Sequence, residues 1–201
     1  MRIRLALALL ASGAAHGQPD ADPHWRVHDD SSLEFVAFQQ GAEFTGRFEQ
    51  FDAMIRFDPG ALDSSRLSIS VDTDSVNTFY DDRDEILREA DLLDVERWPT
   101  ASFVSDDIRD IGESRFEASG DLTIRDQTHR IHLPFSFEIV DNEALLGGEI
   151  AISRLHYGVG QGDWSNTEWV GDDVTVRVRL RLEAPLPVTG QHAPVEVDAS
   201  K

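Results

Sequence analysis

Ile131, Leu133, Phe135, Phe137 and Ile139 alternate with Arg130, His132, Pro134, Ser136 and Glu138. A period of two puts the first set on one face and the second on the other, as in a strand with one buried and one wet side. Gly120-Asp121-Leu122-Thr123-Ile124 precedes this run across a short polar turn, so the pair reads strand, turn, strand. The same alternation marks Leu33 to Phe38, Leu67 to Asp72, Ala101 to Val104, Arg115 to Ile124, Ala144 to Ser153 and Val174 to Leu182. In the last run Val174, Val176, Val178, Leu180 and Leu182 face in, and Arg177, Arg179 and Arg181 face out. Phe44 to Phe57 reads as one or two strands around Gly46, with Phe51, Ala53, Ile55 and Phe57 on a single face. Trp25-Arg26-Val27 starts the first strand. Asp58-Pro59-Gly60 is a turn, because Asp can bond the backbone ahead, Pro presets its φ and Gly accepts positive φ.

One segment breaks the rhythm. Arg83 to Ala90 has helical composition with acids early, which suits the positive end of a helix dipole, and Asp81 or Asp82 is placed to cap it. Leu92, Leu93 and Val95 are expected to fold back onto the strands, and Trp98-Pro99 ends the excursion. Many short strands, each with one apolar face, plus one short helical insertion predict an all-β fold. We read about eight strands in an antiparallel, lipocalin-like barrel; a sandwich is the alternative. An eight-stranded barrel is either filled by side chains or holds one small ligand, and periodicity alone leaves both open.

The chain has 201 residues, 18 basic and 38 acidic, for a net charge of −20. Such a surface repels nucleic acid and anionic headgroups, both of which need basic contacts. It also offers an acidic face to a basic protein partner. The absence of cysteine excludes disulfides, thiolate metal sites and a Cys nucleophile. Met1-Arg2-Ile3-Arg4, the apolar run Leu5 to Leu10 and Ala15-His16-Gly17 resemble a secretory signal peptide over residues 1–17, which predicts the periplasm. The barrel is expected over 18–184 and a disordered, Pro-containing tail over 185–201.

Candidate chemistry is sparse. His129 and His132 lie three apart in a strand, so they point to opposite faces and cannot share an ion. Asp72-Thr73-Asp74 lacks the central Gly and bidentate acid of a calcium loop. Gly158-Val159-Gly160-Gln161-Gly162 has no helix behind it to hold a pyrophosphate and reads as a rim turn. No Gly-x-Ser-x-Gly elbow is present. The expectation is a binding protein, not an enzyme, with no metal and no cofactor.

Several of these stretches together resemble the YceI-like family. The carriers are Gly46-Arg47-Phe48, Ile55-Arg56-Phe57-Asp58-Pro59, Asp91-Leu92-Leu93-Asp94-Val95, Trp98-Pro99-Thr100-Ala101-Ser102-Phe103, Gly120-Asp121-Leu122-Thr123-Ile124-Arg125 and Arg154-Leu155-His156-Tyr157-Gly158-Val159-Gly160. The resemblance implies a barrel around a long apolar tunnel and a polyisoprenoid or isoprenoid quinone-like ligand. It also implies, as the alternative role, an accessory protein docked on a membrane b-type cytochrome; a homodimer is a further expectation. Residues expected to line the tunnel are Phe35, Phe57, Ile69, Val71, Phe103, Leu122, Ile124, Ile131, Leu133, Phe135, Phe137, Ile152, Val176 and Val178. Trp164 and Trp169 are expected at its rim, where a half-wet position suits Trp.

Overall fold

The computed structural model describes residues 24–184. The expected signal peptide and the expected tail lie outside the described residues. Eleven strands form one antiparallel sheet: β1 (Arg26–Val27), β2 (Ser32–Gln39), β3 (Ala42–Phe48), β4 (Phe51–Arg56), β5 (Arg66–Asp72), β6 (Val76–Asn77), β7 (Thr100–Gly112), β8 (Arg115–Ile124), β9 (Gln127–Val140), β10 (Glu143–Ser153) and β11 (Asp173–Glu183). Their order is β4-β5-β7-β8-β9-β10-β11-β2-β3-β6, with β1 on β11. The sheet curls until Trp25, beside β1, reaches β4. There the Trp25 amide donates to the Ile55 carbonyl at 2.8 Å, and the indole Nε1–H to the Phe57 carbonyl at 2.9 Å. One continuous curled sheet, with the apolar faces turned inward, replaces the sandwich alternative.

The strand count exceeds the expected eight because β1 and β6 are only two residues long and because the Phe44–Phe57 stretch divides into β3 and β4. The break between β3 and β4 falls at Glu49-Gln50, not at Gly46. Gly46 lies inside β3 opposite Phe35, and a Cβ there would sit 2.3 Å from the Phe35 ring. The glycine is a seat for that ring. β7 continues well beyond Val104, because a bulge between Ser105 and Asp107 shifts the alternation. At this bulge the β7 backbone presses on Gly120, where a Cβ would lie 2.2 Å from the Val104 carbonyl. The buried Ser105 hydroxyl accepts the Leu67 amide at 2.8 Å.

The helix α1 spans Asp81–Arg88, two residues earlier than expected. Neither Asp81 nor Asp82 caps it; the N-cap is Tyr80, with no side-chain bond. Asp84, buried inside the helix, reaches back and accepts from the Thr78 amide at 2.8 Å and the Thr78 hydroxyl at 2.6 Å. This ties the incoming loop to the first turn in the way a capping box does.

One end of the barrel is solid. Phe57 meets Phe116, Phe135 and Phe137 edge-on at centroid distances of 4.9, 5.3 and 4.6 Å, and Trp25 stacks edge-on against Phe137 at 5.3 Å. Such edge-to-face pairs add to the burial of the rings. Ile55, Leu67, Leu180 and Leu182 complete this floor. Ile139 keeps the inward phase but is 56% exposed, because it lies at the far end of β9, close to the turn into β10.

Gly120→Ala is expected to destabilise the fold by about 1–3 kcal/mol, as forced overpacking does. The check is a lower urea midpoint at an unchanged m-value.

Candidate ligand cavity

Above the aromatic floor the wall residues alternate inward as before, but the space between them is not filled. A cavity of about 210 Å³ lies there. Of the residues expected to line a tunnel, Phe35, Ile69, Val71, Phe103, Leu122, Ile124, Ile131, Leu133, Ile152, Val176 and Val178 line it. Phe57, Phe135 and Phe137 do not; they are consumed by the floor. The interior is therefore a capped cavity in one half of the barrel, where the resemblance implied a long tunnel. Period-two reading finds which face a residue takes, but not how far along the barrel axis the packing is solid.

Other lining residues lay outside the sequence reading. Ile150 and Val174 are in phase with Ile152 and Val176, so extending the alternation finds them. Phe44 and Phe48 come from β3, where no face was assigned. Leu87, Leu92 and Leu93 belong to the insertion and form the roof; Leu92 and Leu93 do fold back onto the strands as expected. Trp164 and Trp169 do not line the cavity. Trp169 is 57% exposed, and its carbonyl accepts the Gln40 amide at 2.7 Å, which holds the Trp-bearing loop against the β2–β3 turn.

The roof is fastened by arginines. Arg125, whose side chain is 8% exposed, donates to the carbonyls of Ala90 and Leu92 and lies 3.6 Å from the Asp94 carboxylate. Arg88 donates to the carbonyls of Asp74 and Val76 at 2.9 and 2.8 Å. Arg154 donates to the carbonyls of Gly171, Val159 and Val170 at 2.8–2.9 Å. Its guanidinium fills the place a Cβ at Gly160 would need, with Nη1 only 1.7 Å from it, and Gly160 has φ 108°. The glycines of the 158–162 stretch thus make a rim turn around an arginine, and no phosphate loop. The Asp91 carbonyl accepts the amides of Gly160 and Gln161 at 2.9 and 2.7 Å, so the insertion and the rim turn hold each other.

Arg154 also contributes to the cavity wall, together with Thr73 and Ser102; the remaining lining is aliphatic and aromatic. Burial pulls the Arg154 pKa down, and the Asp172 carboxylate pulls the other way. Arginine stays charged under such opposing pulls. Asp172 is itself held by Ser153, whose hydroxyl lies 2.8–2.9 Å from its oxygens. At the rim the His129 ring packs edge-on against Tyr157 at 5.0 Å, and its Nε2 lies 3.0 Å from the His156 carbonyl. His132 points outward to Ser119 at 2.8 Å. Among the described residues no cluster of His, Asp or Glu could hold a metal ion. A second hollow, of about 910 Å³, lies near Trp25 and Gln50, but it is lined by His24, His28, Glu49, Asp52 and Asp72 among others and is too polar for an apolar guest.

Residues 25–182 match the family model of the YceI-like domain. The chain belongs to the YceI-like family. It is 36% identical over 108 residues to a UPF0312 protein of Vibrio cholerae, a match covering 53% of this chain and 57% of that one. The chain thus spans a little over half the length of that curated relative. The structure resembles that of BcnA from Burkholderia cenocepacia, with a TM-score of 0.76, 25% identity, and coverage of 78% of this chain and 99% of that one. It also shares its fold with a polyisoprenoid binding domain from Saccharophagus degradans implicated in plant cell wall breakdown, with a TM-score of 0.63, 17% identity, and coverage of 82% and 99%. The YceI-like fold here divides into a packed floor and an open upper half.

That division has a measurable consequence. Phe135→Ala is expected to cost about 3–5 kcal/mol, because it removes a ring from a packed cluster. Ile131→Ala, in the cavity wall, is expected to cost less than half of that, since the side chain already has unfilled space on one side. Thermal unfolding of the two variants checks the order; equal losses would mean the upper half is as solid as the floor.

Proposed function

We propose that this chain binds an isoprenoid lipid, a polyprenol or an isoprenoid quinone, and carries or sequesters it in the periplasm. One observation carries the reading: a preformed cavity walled by aliphatic and aromatic side chains in the same protein whose exterior is strongly acidic. An apolar chain gains about 25 cal/mol for each Å² it removes from water, without any directional bond. Branched, methyl-bearing isoprene units match the Ile, Leu, Val and Phe walls in shape. Arg154 borders the cavity, and its buried guanidinium faces the carbonyls of Gly171, Val159 and Val170, so the wall it braces stays apolar. Three of its five N–H groups are already committed to backbone carbonyls, so the arginine is held still before any ligand arrives. The YceI-like match, the fold shared with a polyisoprenoid binding domain, and the leader-like first 17 residues support the same reading.

Native mass spectrometry after incubation with a polyprenol and with an isoprenoid quinone is the test. The expected result is a one-to-one complex with either lipid. Val176→Asp places a carboxylate in the apolar wall and is expected to weaken binding at least tenfold while the far-ultraviolet circular dichroism stays that of the wild type. A wild-type protein that remains empty with both lipids would overturn the proposal.

A further inference from the structure

The barrel wall has a gap at a proline. β9 pairs with β10 only from Phe135–Val140 against Gly148–Glu143, although β9 begins at Gln127 and β10 runs on to Ser153. Backbone geometry explains the stop. Along a strand, successive residues direct their N–H and C=O groups to opposite neighbours. The Arg154 amide donates to Asp172, ahead of β11, so even-numbered residues of β10 face β11 and odd-numbered ones face β9. The Phe137 amide donates to Ser114, ahead of β8, so odd-numbered residues of β9 face β8 and even-numbered ones face β10. Pro134 is even-numbered. Continued in register, it would pair with Glu149, and it has no N–H to give. Meanwhile the β8–β9 ladder runs unbroken through Glu117 and Pro134 to Ile124 and Gln127. The proline therefore unzips one side of β9 and leaves the other intact.

The gap opens onto the cavity. Ile131, Ile150 and Ile152 flank it, line the cavity and are only half-buried. The aromatic floor fills one end of the barrel axis, and the arginine-fastened insertion that carries Leu87, Leu92 and Leu93 crosses the other. The rim contact of His129 with His156 and Tyr157 bounds the gap above, and the Phe135–Gly148 pair bounds it below. At about 210 Å³ the cavity is also smaller than the roughly 300–1,000 Å³ of pockets that enclose drug-sized ligands. A chain too long for the cavity has to emerge from it, and the unpaired stretch of wall lies beside it.

We infer that the gap between β9 and β10 above Pro134 is a lateral portal, through which an isoprenoid chain enters and from which the part too long for the cavity emerges. This rests on the isoprenoid-binding reading. Two measurements test it. Amide exchange on the free protein is expected to be fast at His132, Glu149 and Ala151, and slow at Ser136, Glu138, Leu145 and Gly147. Equal protection in the two groups would mean that the gap does not exist. Stopped-flow uptake of a fluorescently labelled prenyl alcohol, and of an uncharged naphthylamine dye, is then compared in three proteins. These are the wild type, Pro134→Val, and a His132→Cys, Ala151→Cys double variant joined by a short bis-maleimide. The absence of native cysteine makes the cross-link specific, and His132 and Ala151 are exposed on the outer face. The expected result is uptake at least tenfold slower when the gap is zipped or cross-linked, with unchanged capacity at equilibrium. Unchanged uptake by the cross-linked protein overturns the portal, whether or not the valine variant gains protection. Gated uptake of the dye without any binding of the prenyl alcohol sustains the portal and overturns the isoprenoid reading. Wild-type protein that takes up neither overturns both.

Discussion

An unfilled space inside a protein persists only if its walls are held apart by bonds stronger than the attraction that would draw them together. Here the backbone ladders do that. Eight successive ladders, from β4 through β5 and round to β3, set the curvature of the sheet before any side chain chooses a contact. Once the curvature is set, the inward side chains either meet at the centre or fail to. At one end Trp25, Phe57, Phe116, Phe135 and Phe137 are large enough to meet. Above them the inward positions carry Ile131, Leu133, Ile150, Ile152, Val176 and Val178, which are too short to span the interior. The cavity is what remains where these side chains, together with Phe35, Phe44, Phe48 and Phe103, leave the centre of a hydrogen-bonded wall unfilled.

Charge is handled differently inside and out. On the outer face arginines pair with acids along neighbouring strands, as Arg181 does with Glu143 and Asp30 and Arg130 does with Asp106. These pairs are exposed, so each adds little to stability. The buried arginines behave otherwise. Arg125 and Arg154 spend their donors mainly on backbone carbonyls of loops that no ladder secures. They act as clamps that let irregular backbone cross the mouth of a barrel with its polar groups satisfied. The roof can thus be held in place without a second sheet.

Much of this was legible in the sequence. The alternation in Arg130 to Ile139 and in Val174 to Leu182 identified strands and their inner faces, and Leu92 and Leu93 were recognised as returning to the barrel. What escaped was information that alternation does not carry. The bulge at Ser105 shifts the phase of β7, so its polar half disappears from the pattern. Depth along the axis is invisible too, so alternation alone groups Phe57, Phe135 and Phe137 with the residues that line the cavity. Pro134 was visible as a residue but not as a break, because its effect depends on which neighbour the missing N–H faced. Trp164 and Trp169 looked like rim residues from their chemistry alone, and only the course of the 162–170 loop takes them away from the cavity.

The central claim is that an isoprenoid chain lies in the upper half of the barrel, above the aromatic floor. Paramagnetic relaxation from a prenyl alcohol carrying a nitroxide at its far end tests this most directly. The account predicts strong broadening of the methyl signals of Ile69, Ile152 and Val176, with the Phe135 and Phe57 rings much less affected. Broadening confined to outer-face methyls such as those of Met54 and Val104 would place the lipid outside the barrel and contradict the account.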